Sequence, residues 1–200
     1  MLLLFVVLVF TPVAMADAPR IVVMGDSISG AYGIATEDGW VALLERRLDA
    51  EGHPHRVTNA SVSGATTASA KGNLPRALER HSPDILILQL GGNDGLRGLS
   101  LDAMEQNLDA MIEQAHDSGA RVLLAGVRLP PNYGSAYLDR FRGVYANLAE
   151  RHELAFVPRI LEGFEDRRDL MLDDQIHPNE AGQELILQNI WTELESLLAG

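Results

Sequence analysis

The sequence predicts an α/β protein: a parallel β-sheet covered by helices on both faces. Short apolar runs rich in β-branched residues alternate with segments of helical periodicity along the whole chain. Runs such as Ile85-Leu86-Ile87-Leu88 are apolar at consecutive positions, as a strand buried on both sides requires. The chain has 200 residues and shows no linker-like shift in composition, repeat or low-complexity tract, which predicts one domain.

Before the first strand, Leu2 to Phe10 is an unbroken apolar run, broken at Pro12 and followed by Ala14 and Ala16 on either side of Met15. This pattern is that of a secretory signal peptide cleaved after Ala16, and it is shorter than the ~20 apolar residues a membrane anchor needs. The expected organisation is a signal at 1–16 and a single domain at 17–200. The first strand is Ile21–Met24, and Trp40, Leu43, Leu44 and Leu48 mark the helix after it. Arg56–Asn59 is the second strand, followed by a helix carrying Leu74 and Leu78. Ile85–Leu90 is the third, followed by the stripe Leu101, Met104, Leu108, Met111 and Ile112. Val122–Ala125 is the fourth, with Leu138, Phe141, Tyr145 and Leu148 behind it. Ala155–Val157 is the fifth. The last helix carries Leu185, Ile186, Ile190, Trp191 and Leu194, and Pro178 suits its first turn.

Composition excludes several functions. Sixteen Lys and Arg against 28 Asp and Glu give a net charge of −12, which argues against a nucleic-acid partner, since that needs a basic face. There is no cysteine, hence no disulfide, thiolate nucleophile or Cys-ligated metal. Neither G-x-G-x-x-G nor a Walker loop is present to hold phosphates. The remaining chemistry belongs to oxygen and nitrogen side chains, with no cofactor expected.

In an open parallel sheet, ligands bind beyond the carboxyl ends of the strands, near the point where strand order reverses. Five clusters fall there: Gly25-Asp26-Ser27-Ile28-Ser29, Ser61-Val62-Ser63-Gly64, Gly91-Gly92-Asn93-Asp94, Leu129-Pro130-Pro131-Asn132-Tyr133, and Asp173-Asp174-Gln175-Ile176-His177-Pro178. Ser27, His177 and Asp174 supply the types a serine nucleophile needs, because a hydroxyl is too weakly acidic to attack an acyl carbon without a base, and the base needs an orienting carboxylate. Gly64 offers a backbone N–H unobstructed by a side chain, and the Asn93 amide a second donor, beside the N–H of Ser27, for a developing oxyanion. A strand order of 2-1-3-4-5 would set Gly64 and Asn93 on either side of Ser27.

Taken together these blocks resemble the GDSL or SGNH hydrolases: Gly25-Asp26-Ser27, Gly64, Gly91-Gly92-Asn93-Asp94 and Asp174-x-x-His177 occur in that family's order. Gly95-Leu96-Arg97-Gly98 and Arg128-Leu129-Pro130-Pro131-Asn132-Tyr133-Gly134 are similar to its bacterial periplasmic thioesterase I/lysophospholipase/arylesterase branch. The first block has Ile28 where the family name spells leucine, a conservative apolar change. The resemblance implies a three-layer α/β/α, flavodoxin-like fold with a five-stranded sheet. It also implies a metal-independent serine hydrolase of acyl esters and thioesters, with Ser27, His177 and Asp174 as triad and Ser27, Gly64 and Asn93 as oxyanion hole.

Leu96, Leu99, Leu129, Pro130 and Tyr133 are the candidates for an acyl-chain slot, and Gly91 to Gly98 is glycine-rich enough to move as a lid. The competing class is a metal-dependent phosphoesterase using Asp26, Asp94, Asp174 and His177. The expected partner is a small acyl ester or lysophospholipid, met by a monomer in the periplasm or outside the cell, without a stable membrane anchor once the signal is removed.

Overall fold

The computed structural model describes residues 18–199, so the expected signal peptide lies outside the described residues. Five parallel strands, β1 (Arg20–Gly25), β2 (Arg56–Asn59), β3 (Ile85–Gln89), β4 (Arg121–Ala125) and β5 (Ala155–Val157), form one sheet in the order β2-β1-β3-β4-β5. The helices are α1 (Trp40–Glu51), α2 (Thr67–His81), the short α3 (Gly92–Leu96), α4 (Leu101–Asp117), α5 (Ser135–Arg151) and α6 (Glu180–Leu198). Helices α1 and α6 pack on each other, as do α2 with α4 and α4 with α5, giving the three layers.

The strands sit where the apolar runs place them because burial on both faces is satisfied only in the middle layer. Ile85 to Leu88 have no exposed surface, and Ile21 to Met24 are buried beside them. Strand order reverses at β1, whose partners are β2 and β3, and this opens a crevice at its carboxyl end. Helical faces follow the expected stripes with one exception. Leu185 is 41% exposed, because Ile186, Leu187 and Ile190 hold the inward face of α6. Pro178 does not enter α6: Asn179 caps the helix, accepting from the N–H groups of Ala181 and Gly182, while Pro178 bridges to Met171.

Candidate active site

The chain leaves β1 at Gly25 and turns at once, with the Gly30 N–H on the Asp26 carbonyl at 2.9 Å and the Ile28 N–H on the Asp26 carboxylate at 3.1 Å. That turn lifts Ser27 to the crevice while Asp26 is folded inward, 3% exposed. Two ties hold it: Ser29 donates to the Gln89 side chain at the end of β3 (2.6 Å), and the Asn59 amide donates to the Ser29 carbonyl from the end of β2 (2.8 Å).

From the far side of the crevice, His177 Nε2 lies 2.8 Å from Ser27 Oγ, and His177 Nδ1 lies 2.7 Å from Asp174 Oδ2. The other Asp174 oxygen accepts the N–H groups of Ile176 (2.9 Å) and His177 (3.0 Å). A carboxylate on Nδ1 selects the tautomer with its proton there and leaves the Nε2 lone pair facing the serine hydroxyl. Burial raises the Asp174 pKa, but the His177 N–H, the imidazole and the Ile176 N–H outweigh it and hold the carboxyl below its ordinary range. The Tyr32 ring covers the imidazole at a centroid distance of 4.5 Å.

Gly64 and Asn93 reach the same place from opposite neighbours of β1. The Val62 N–H bonds the Gly25 carbonyl at 3.0 Å and swings the turn containing Gly64, at φ +79°, toward Ser27. At the end of β3 the chain passes Gly91 at φ +111°, where a Cβ would come 2.3 Å from the Tyr145 hydroxyl. Only glycine fits that passage, which seats α3 and brings Asn93 Nδ2 to 3.5 Å from Asp26 Oδ2.

Asp94 points the other way. Its carboxylate accepts the Thr67 N–H (2.9 Å) and hydroxyl (2.6 Å) in the first turn of α2, where it also complements the helix dipole. It is thereby withdrawn from Asp26, Asp174 and His177, and no group of three or more acidic or histidine side chains suited to a metal occurs among the described residues. The four-residue metal cluster weighed from the sequence does not assemble.

A cavity of about 610 Å³ opens beside Ser27 and His177. Of the apolar candidates, Leu96, Leu129 and Pro130 line it, whereas Leu99 and Tyr133 do not. Leu99 is 43% exposed beyond α3, and the Tyr133 hydroxyl donates to the Leu96 carbonyl at 2.8 Å. With Tyr137 donating to the Gly95 carbonyl (3.2 Å), two tyrosines and Asp94 fasten the segment 91–98 considered as a lid. The sequence reading missed one wall: residues 158–172, between β5 and the His177 loop, supply Leu161, Glu165, Asp166, Arg168 and Met171. Arg128 faces this wall and pairs with Asp166. The stretch has no periodicity, so the one available signal was its apolar Leu161, Phe164 and Met171 among charged residues.

The GDSL-like lipase/acylhydrolase family model matches residues 23–185. Esterase TesA of Pseudomonas aeruginosa is 46% identical over 183 residues, covering 92% of this chain and 91% of that protein. Thioesterase 1/protease 1/lysophospholipase L1 of Escherichia coli is 34% identical over 194 residues, covering 97% and 92%. The crystal structure of the psychrotrophic esterase EstA from a Pseudoalteromonas species, inhibited by monoethylphosphonate, superposes with a TM-score of 0.86 at 33% identity, covering 90% of this chain and 99% of that one.

Proposed function

Because the chain belongs to the GDSL-like lipase/acylhydrolase family and is an ester hydrolase, we propose that it works through a Ser27-His177-Asp174 triad and an acyl-enzyme. The observation that carries this is the continuous line of hydrogen bonds from Asp174 through His177 to Ser27, ending at the cavity. His177 Nε2 takes the hydroxyl proton as Ser27 Oγ bonds to the acyl carbon. The carbonyl oxygen becomes an oxyanion held by the N–H groups of Ser27 and Gly64 and by the Asn93 amide. As the intermediate collapses, the alcohol or thiol leaves with the proton from His177. Water then gives a proton to His177, attacks the acyl carbon, and the acid departs as Ser27 recovers its hydrogen. Asp174 stays ionised and stabilises the imidazolium.

The cavity volume suits one small-molecule acyl group, and its Leu96, Leu129, Leu161 and Met171 walls favour an apolar chain. Lysophospholipids and short aryl or alkyl esters fit best. The net charge of −12 disfavours the polyanionic acyl-CoA, as does export to the periplasm or beyond the cell, the destination the apolar leader implies for a mature, monomeric single-domain enzyme. Ser27→Ala is expected to lower turnover of p-nitrophenyl esters by on the order of 10⁶-fold with an unchanged circular dichroism spectrum. Retention of activity in that folded variant would overturn the assignment. Esters of graded chain length, then lysophosphatidylcholine and palmitoyl-CoA, rank the substrates, and chelators are expected to leave the rate unchanged.

A further inference from the structure

We propose that Arg97 is a positioning residue: it locks the Asn93 side-chain amide in the orientation that aims its N–H at the oxyanion, a role that rests on reading Asn93 as an oxyanion donor. The two ends of a carboxamide are nearly the same size, so packing alone does not distinguish its oxygen from its nitrogen. Charge does. Arg97 Nη2 lies 3.4 Å from Asn93 Oδ1, and Asp26 Oδ2 lies 3.5 Å from Asn93 Nδ2. The cation meets the oxygen and the acid meets the nitrogen. A flipped amide would set N–H groups against a guanidinium and a carbonyl oxygen against both Asp26 and the developing oxyanion.

The same guanidinium nitrogen donates to the Gly64 carbonyl at 3.0 Å. One side chain therefore ties together the two loops that present donors from opposite sides of Ser27, the loop after β2 and the first turn after β3. The spacing makes this possible: Arg97 follows Asn93 by four residues, which puts both on one face of α3 and its last turn. Its bond to Oδ1 also polarises the amide, strengthening the N–H that faces the substrate. Arg97 is exposed, so its removal disturbs little of the core.

A double-mutant cycle on p-nitrophenyl butyrate tests this. Arg97→Met is expected to lower kcat about 10-fold with KM within about twofold and an unchanged melting temperature, and Arg97→Lys to recover part of the loss. In an Asn93→Ala background, Arg97→Met is expected to cost less than about threefold, because the amide it orients is gone. An equal loss in both backgrounds, or no loss in the single variant, overturns the role of Arg97 while leaving the triad and oxyanion hole standing. An Asn93→Ala enzyme of full activity overturns the oxyanion role of Asn93 itself, and this inference with it. If Arg97→Met fails to fold, Arg97→Gln provides the same cycle.

Discussion

Asp26 lies under the turn that carries Ser27 and Asp174 meets Ser27 only through the His177 imidazole, and their surroundings drive the two acids in opposite directions. Asp26 adjoins Ser27 in sequence but is turned into the core, where burial pushes its pKa up from 3.8 to about 6. Asp174 is far away in sequence, lies at the rim of the crevice, and is held below its ordinary range by three hydrogen bonds from Ile176 and His177. Sequence proximity to Ser27 therefore says little about which acid meets the imidazole. The acid that touches the imidazole is the one whose charge the site stabilises, and the acid under the serine is the one whose charge burial opposes.

Of the two acids, Asp174 is expected to give the larger effect on turnover. Asp174→Asn presents an amide to Nδ1, disfavours the tautomer that leaves Nε2 free, and is expected to reduce kcat by on the order of 10⁴-fold with little change in melting temperature. A variant with more than a tenth of wild-type activity would remove Asp174 from the triad. On the oxyanion side, Asn93→Ala is expected to lower kcat by roughly 10²–10³-fold, measured on the same esters.

Asp26→Asn is expected to show itself in stability. An acid with a raised folded-state pKa leaves the native state holding more protons than the unfolded state, so stability falls as pH rises through the window between about 4 and about 6. The isosteric amide avoids that loss and still accepts the Ile28 N–H. It is expected to be more stable than the wild type at pH 8, by up to about 3 kcal/mol in urea unfolding, with the difference shrinking as pH falls and gone below about pH 3. A variant less stable at pH 8 would show that the ionised acid is supported by its surroundings. The smallest effect is expected at Leu99, outside the cavity: Leu99→Ser should shift stability by no more than about 0.5 kcal/mol and leave the preference among acyl chain lengths unchanged.

The contrast between the two acids also marks what the sequence makes legible. Asp174 and His177 are three residues apart, so one short loop fixes their geometry and their spacing is visible in the chain. Gly64 and Asn93 become neighbours of Ser27 through the β2-β1-β3 order, which the alternating apolar runs and the reversal of strand order at β1 allow to be foreseen. The direction of a side chain on a turn is less accessible. Asp94 follows Asn93 directly, yet it is drawn away by Thr67, a partner on another helix that no periodicity announces. Tyr133 has the residue type of a cavity lining, yet it spends its hydroxyl on the Leu96 carbonyl. Residues 158–172 form a cavity wall through irregular backbone, where neither a 3.6-residue nor a 2-residue repeat exists to be seen.

Covalent labelling tests the central claim most directly. After incubation with a small fluorophosphonate, intact-mass and peptide mass spectrometry are expected to show one adduct per chain, on Ser27, formed in step with loss of esterase activity. The adduct should be absent in Ser27→Ala and formed far more slowly in Asp174→Asn. Inactivation with the adduct on another residue, or full activity in a chain labelled at Ser27, would contradict a mechanism centred on that serine.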